Sequence, residues 1–403
     1  MLSSLPPLDC DPLWELIRSF QEDTREHKID LIIGVYRDES GQTPVFELVQ
    51  KAEHWLAQEA QSKAYKPLSG NARFNQHLTQ HLLSKDLSEQ NNHCTLQTVG
   101  GTGALRALGD FIFRISPNAT VWNTDPGYVN HQPIMEAAGL KVKHFRWQQK
   151  DATLDIESCF SDLSAARRGD ILLLHGCCHN PSGIDPTLAQ WQAFATFCNN
   201  TGVIPLIDMA YQGFGDGSDT DAAGLRWLVN QLELVLIASS CSKNMGLYCE
   251  RTGAATITTK STESLGKIRT LLEHIARVNY SMPPNHGAAI ANFVFSHPTQ
   301  WDKELSACRL RILTIRKQLG KALASLGASP ELCSLAQQKG MFSLLPFNTK
   351  QMQQLREKHA IYGTNNGRIN IAGLQTHQVK ILAKALMDIA RRPLLEKAEQ
   401  ISA

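Results

Sequence analysis

The chain has 403 residues, of which 42% are hydrophobic and 19% charged, and a formal net charge of +2. Its length exceeds what one small core supports, so two domains are expected. The near-neutral balance argues against nucleic acid or an acidic membrane surface as partner. No stretch reaches the ~18–20 apolar residues of a membrane helix, and Met1–Asp11 lacks the basic and apolar segments of a secretory leader. The ten cysteines are scattered, with no C-x-x-C. The adjacent Cys177 and Cys178 suit neither a disulfide nor zinc, so reduced thiols in a cytoplasmic protein are expected.

In chain order, residues 1–10 read as a Pro-rich arm. Asp11-Pro12 starts a helix, with a capping Asp and Pro at the first helical position. Ile29–Tyr36 is an apolar segment punctuated by Gly34. A helix is predicted over Phe46–Glu59 and another through Leu83. From residue 95 the pattern becomes regular. Strands Thr95–Val99, Thr120–Asn123, Ile171–Leu174, Ile204–Ile207, Leu234–Ser239 and Ala254–Thr258 are interspersed with helices from Thr102, over Pro133–Ala138 and over Leu188–Asn199. This pattern predicts an α/β fold, a mostly parallel sheet between helices, with chemistry outside the carboxyl ends of the strands. Past Gly287 the texture changes. Residues 300–326 form a long helix with one apolar face at Leu305, Cys308, Ile312, Ile315 and Leu319, and a smaller α+β segment and a final helix follow.

Polar clusters follow several of the strands. Gly100-Gly101-Thr102-Gly103, between strand and helix, suits an anion held on free N–H groups, though a tight turn would look the same. His175 and His179 flank Cys177-Cys178 ahead of Asn180-Pro181-Ser182-Gly183. The glycines and proline argue against the helix that would turn both imidazoles toward one metal, and no metal site is assigned. Asp208 ends a strand, where it could pair with a protonated ring nitrogen, and Tyr211 lies three residues on. In Ser240-Cys241-Ser242-Lys243, followed by Arg251, hydroxyls and an arginine could collect a phosphate beside an amine able to form a Schiff base. Alone, this stretch is equally a solvated polar loop. Arg277 and Arg368 sit among apolar or turn residues and could each grip a carboxylate.

In this order, the clusters Gly100–Arg106, His175–Gly183, Asp208–Phe214, Ser240–Arg251, Arg277–Pro284 and Gly367–Gly373 resemble the aspartate/aromatic-amino-acid aminotransferase family, and are closest to its aspartate branch. The resemblance spans about Asp11 to Ala390. It implies the fold type I architecture of pyridoxal-phosphate enzymes: an arm (1–10), a discontinuous small substrate-closing domain (11–43 and 311–403) and a large cofactor-binding domain (44–310). It also implies pyridoxal 5'-phosphate as cofactor and ping-pong transfer between an amino acid and a 2-oxo acid through a Lys243 aldimine. The partner is expected to be a second copy of the chain, in a homodimer with shared sites.

Roles transfer by position. Lys243 bonds to the cofactor and moves the substrate's α-proton. Asp208 keeps the pyridine nitrogen protonated, with His131 and His175 behind it, while Tyr211 and Asn180 meet the phenolic oxygen. Gly101, Thr102, Ser240, Ser242 and Arg251 cup the phosphate. Tyr65 reaches the neighbouring subunit's phosphate, and Tyr128 stacks on the ring. Arg368 grips the α-carboxylate and Arg277 the distal carboxylate across the interface. Gly34, Asn180 and Tyr128 also line the substrate site.

Some positions depart from the family pattern. Tyr128 replaces a tryptophan, Gly127 a serine, Met282 a polar residue near Arg277, Ile32 a glycine near the substrate entrance, and Ser182 a threonine. The expected result is a more apolar, more crowded pocket. The activity expected is transamination of aspartate with 2-oxoglutarate, and the alternative is the same chemistry on tyrosine or phenylalanine. A β-decarboxylase would need a group promoting loss of the distal carboxylate, and none is evident. A non-catalytic cofactor-binding protein is at odds with a complete Lys243, Asp208 and Arg368 set.

Overall fold

The structure, a computed structural model, describes residues 12–90, 92–150 and 153–402. The expected arm of residues 1–10 and the Asp11 cap lie outside the described residues. The chain divides into two compact units, Thr43–Arg311 and the combination of Met1–Gln42 with Ile312–Ala403.

The larger unit is built on a seven-stranded sheet: β1 (Asn92–Val99), β2 (Thr120–Asp125), β3 (Lys141–Arg146), β4 (Ile171–His175), β5 (Ile204–Met209), β6 (Leu234–Ser240) and β7 (Thr252–Thr259), in the order β1-β7-β6-β5-β4-β2-β3. The run from β6 through β5, β4 and β2 to β3 is parallel, with His175 opposite Asp208 and Asp208 opposite Ala238. Its central strands are buried on both faces, so Ile171–Leu174 is an uninterrupted apolar run rather than an alternating one. β7 is the exception, antiparallel to both β1 and β6. No helix separates β6 from β7, and a short connection can join strands only in the antiparallel sense. The Lys243 stretch is that connection.

Helix α1 (Gly100–Ile115) follows β1 directly and packs Leu105, Leu108 and Ile112 into a core shared with Val121, Leu173, Leu206, Leu236 and Ile257 of the sheet. Helix α2 (Thr262–Asn279) adds Leu272 and Ile275. Arg277 therefore sits in the last turn of a regular helix, not in the turn-like setting its neighbours suggest. The strand β3 was hidden in the sequence by Lys141, Lys143 and Arg146. It closes one sheet edge, where exposed charges protect unpaired backbone groups.

In the smaller unit, Ile29–Asp30 pairs in parallel with Ile361–Tyr362, and Phe342–Leu344 pairs antiparallel with Arg368–Asn370. These pairs are flanked by helices Pro12–Glu22, Thr349–His359 and Val379–Ser402. The division between the units falls inside the 28-residue helix α3 (Pro298–Ser325). Of Ile29–Tyr36 only Ile29–Asp30 is strand. Ile32 is 1% exposed and packs with Leu16 and Tyr362 beneath the first helix. The expectation that its side chain crowds a substrate entrance is therefore corrected: it fills this unit's core. Among the described residues no helix is long and apolar enough to cross a membrane.

Candidate active site

Parallel strands deliver their carboxyl ends to one edge of the sheet, and there β1, β4, β5 and β6 bring the sequence clusters together. Val99 lies opposite Thr252, and Ser240 opposite Gly253. Gly100, Ser240 and Arg251 thus become neighbours although 140 and 11 residues separate them. Gly100 N donates to Arg251 O (2.8 Å), and a Cβ on Gly100 would stand 2.5 Å from Arg251 Nη2. A Cβ on Gly101 would press on Ser240 Cβ at 3.1 Å. Ser240 Oγ donates to Ser242 Oγ (3.0 Å), and Arg251 Nη1 donates to the same oxygen (3.3 Å) and to Tyr248 O (3.0 Å). The free N–H groups and positive dipole end of α1 begin at this point, with Thr102 exposed in the first turn. Hydroxyls, a guanidinium and unused amides together form a dianion cradle.

The second group lies over β4 and β5. Asp208 is 6% exposed; its Oδ2 accepts from His131 Nε2 (2.9 Å) and its Oδ1 from Ala210 N (3.1 Å). Burial pushes its pKa up, but the His131 hydrogen bond and the neighbouring His175, His131 and Lys243 outweigh this, and the net shift is downward. Asp208 is thus an ionised carboxylate inside the protein. The His131 ring lies 4.9 Å from that of His175 and 5.2 Å from that of Tyr128. His175 is 2% exposed, and neither ring nitrogen has a hydrogen-bond partner. Burial, reinforced by His131, lowers its pKa to about 3, so the ring is neutral. His179 faces away from any shared ligand: it bonds Ser182 Oγ (2.8 Å) and Thr124 Oγ1 (3.1 Å) and stacks on Trp147. The i, i+4 histidine pair therefore does not converge. Among the described residues, the groups close enough to share an ion are instead His131, His175 and Asp208, and separately Cys177, Cys178 and Asp221.

Asn180 Nδ2 donates to Tyr211 OH (3.3 Å), and both residues are buried. Lys243 Nζ lies 5.0 Å above the centre of the Tyr211 ring. Lys243, Tyr211, Asn180 and Asp208 are thus neighbours at the carboxyl ends of the strands. Tyr65 is 93% exposed and Arg277 is exposed on α2. Neither belongs to this group of side chains within one chain. Met282 does more than add apolar surface, because its Sδ accepts from Lys66 N (3.1 Å), next to Tyr65. Gly34 and Arg368 belong to the smaller unit. There Arg368 Nη2 donates to Ile32 O (2.9 Å), and its guanidinium lies 4.8 Å over the Phe342 ring.

Supporting residues escaped the sequence reading. Asp185 accepts from Cys178 N and His179 N (2.7 and 2.8 Å), pinning the turn that presents Asn180. Asp221 accepts from Gly213 N, Gly215 N and Asp216 N and so fixes the loop after Tyr211. Asn244 Nδ2 donates to Gln212 O and Trp301 Nε1 to Asn244 O, tying the Lys243 turn to that loop. An acidic residue just past a Gly-rich turn was the only signal available for Asp185 and Asp221, and the Trp301 link had none.

Comparison with known proteins bears on this arrangement. Residues 26–386 match the profile of aminotransferase class I and II. The chain belongs to that family. It is 39% identical to an aromatic-amino-acid aminotransferase of Paracoccus denitrificans, covering 96% of this chain and 100% of that one. It is 38% identical to an aspartate aminotransferase of Salmonella typhi over the same shares of the two chains. A crystal structure of the aromatic-amino-acid aminotransferase of Burkholderia pseudomallei, described as covalently bound to pyridoxal phosphate, superposes with a TM-score of 0.93. It is 33% identical, and the match covers 96% of this chain and 99% of that one. The protein is a pyridoxal-phosphate-dependent aminotransferase of the aspartate or aromatic type. The side chains fit the cofactor: hydroxyls with a guanidinium suit its phosphate, an ionised buried carboxylate its ring nitrogen and a lysine amine its carbonyl.

Proposed function

We propose that the protein transaminates aspartate with 2-oxoglutarate, giving oxaloacetate and glutamate, and works as a cytoplasmic homodimer. The observation that carries the catalytic reading is Lys243 Nζ over the Tyr211 ring, with Tyr211 OH tied to Asn180. Two arginines for two substrate carboxylates, Arg368 and Arg277, favour a dicarboxylate.

Bound, pyridoxal phosphate supplies a carbonyl carbon that condenses with amines and a pyridine ring that takes up the electron pair left when a proton departs. In this reading Ser240, Ser242, Arg251 and the amides of Gly101 and Thr102 hold the phosphate. Asp208, kept ionised by His131, holds a proton on the ring nitrogen, and His175 stays neutral so that no second cation competes for that carboxylate. Tyr211 and Asn180 hold the phenolic oxygen, and Tyr128 covers the ring face. Lys243 would be the residue that bonds to the cofactor, and its Nζ, once free, would accept the proton of the substrate's α-carbon. Arg368 orients the α-carboxylate beside Gly34. Tyr65 and Arg277 serve the partner subunit's site, consistent with their exposure.

A second reading, tyrosine or phenylalanine as donor, draws on the apolar Met282, on Tyr128 and on the similarity to aromatic-amino-acid aminotransferases. Cofactor absorbance in single half-reactions with aspartate, glutamate, phenylalanine and tyrosine tests both. Aspartate is expected to have the highest kcat/KM of the four. Failure to convert aspartate would overturn the first reading, and a higher value for phenylalanine would favour the second.

A further inference from the structure

Arg316, on α3, is 1% exposed. Its nitrogens converge on a single stretch of chain: Nη1 donates to Leu335 O (3.0 Å) and Ser343 Oγ (2.7 Å), Nη2 to Gly340 O (2.8 Å), Lys339 O (3.3 Å) and Phe342 O, and Nε to Gly340 O (3.3 Å). Burying a cation is costly, and where packing alone matters an apolar side chain of similar volume serves as well or better. The position of the clamped segment suggests what is obtained in return. Phe342 and Leu344 lie opposite Asn370 and Arg368 in a two-stranded ladder. One face of the Phe342 ring meets the Arg368 guanidinium. The ring tip abuts Gly34, where a Cβ would stand 2.5 Å from Phe342 Cζ. The ring thus has no room to move toward Gly34, and its backbone is held by Arg316.

We infer that Arg316 is a positioning residue for substrate binding. By clamping the backbone of Phe342 it sets the ring against which the Arg368 guanidinium lies, and so fixes the plane that Arg368 presents to a carboxylate. This rests on the proposed role of Arg368 in gripping the substrate's α-carboxylate. An arginine forks into five donors in a fixed plane, which a lysine cannot reproduce, so Arg316→Lys keeps the charge and loses the clamp.

The test uses the holoenzyme. Arg316→Lys is expected to raise KM for both the amino acid and the 2-oxo acid by about tenfold, with kcat within about threefold. Its cofactor absorbance and cofactor affinity should stay at wild-type values, because the phosphate donors lie in the other unit. Phe342→Leu should give the same split, and the double variant should be no worse than the worse single one, since both act through the same ring. A lowered Tm with unchanged KM, or effects of the two substitutions that simply multiply, would overturn the inference. Arg368→Ala separates the two readings. If it leaves both KM values unchanged, the carboxylate assignment fails; if it raises them while Arg316→Lys does not, only the inference about Arg316 fails.

Discussion

His131 Nε2 donates to Asp208 Oδ2 across 2.9 Å, with both side chains buried. A carboxylate can only accept when ionised, so His131 Nε2 is the donor in this contact. The hydrogen bond thus stabilises the charge of Asp208. Asp208→Asn keeps the shape and removes the charge. The expected loss is about 10²–10³-fold in the half-reaction rate, the usual cost of removing one preorganised electrostatic contact. His131→Gln should cost less, about tenfold, because the carboxylate survives with one donor fewer. Stopped-flow absorbance with saturating donor measures both, and an Asp208→Asn enzyme with wild-type rates would refute the role.

Lys243→Ala should abolish multiple turnover. Losing a positioned proton carrier alone costs about 10²–10⁴-fold, and the covalent link to the cofactor is lost with it. The variant should bind the cofactor without the absorbance band of a lysine adduct. Cofactor titration and a coupled assay measure the two effects, and sustained turnover would remove Lys243 from its assigned place.

Gly100 has φ +66°, and a side chain there would meet Arg251 Nη2. Gly100→Ala is expected to cost about 1–2 kcal/mol in backbone strain. It should also push the guanidinium off Ser242, weakening cofactor affinity by about tenfold, the scale of one charge-assisted hydrogen bond. Equilibrium titration of the apoprotein with pyridoxal phosphate reads this directly. Rates at saturating cofactor should recover most of the wild-type value.

Asp221 is 7% exposed and accepts three backbone N–H groups. Burial pushes its pKa up, and the hydrogen bonds from Asp216, Gly215 and Gly213 oppose that shift. Asp221→Ala leaves three buried donors unsatisfied, at about 1–3 kcal/mol each if no water enters. A loss of at least ~3 kcal/mol in urea unfolding is expected, with Asp221→Asn intermediate because it keeps one carbonyl acceptor. A loss below ~1 kcal/mol would mean that the loop after Tyr211 holds itself.

Stability should fall on acidification before the carboxylates titrate. His175 is neutral in the fold, its pKa lowered to about 3 from 6.5, chiefly by burial. The unfolded chain takes up that proton near pH 6.5, so below that pH the unfolded state binds more protons and the fold loses up to about 1.4 kcal/mol per pH unit. The loss continues down to the folded pKa. Burial lowers His179 in the same direction. Urea midpoints measured from pH 7.5 to 4.5 should drop steadily, and His175→Asn should flatten part of that slope. A flat wild-type profile would show that neither ring is held neutral.

The convergence of the polar clusters was legible in the sequence because a parallel sheet sends each strand end to the same edge. A polar cluster after each apolar run therefore belongs to one site even when the clusters lie far apart along the chain. Gly100–Thr102, Asn180, Asp208, Tyr211 and Ser240–Arg251 stand in such clusters, and their roles were implied by the family resemblance. Residues that support the clusters were not, because Asp185, Asp221 and Trp301 act by accepting or donating to backbone groups of other segments, and such contacts leave no periodicity. Ile32 was misplaced for a related reason. In an apolar segment with only a two-residue strand, alternation cannot say which side faces the core.

By itself the sequence determined the class of fold, since this depends on residue type and on the order of strands and turns, and its resemblance to a family implied the cofactor. Only the tertiary structure decided that β7 runs antiparallel, so that the Lys243 turn is a hairpin carrying Arg251 back beside Ser240 and Gly100. It put His131 Nε2 on Asp208 Oδ2, a pairing that the sequence carried only through its family resemblance, and it used Arg316 to hold Phe342 under Arg368. Each of these is a contact between surfaces that come together only when the core closes, and directional hydrogen bonding and burial, not local propensity, select it.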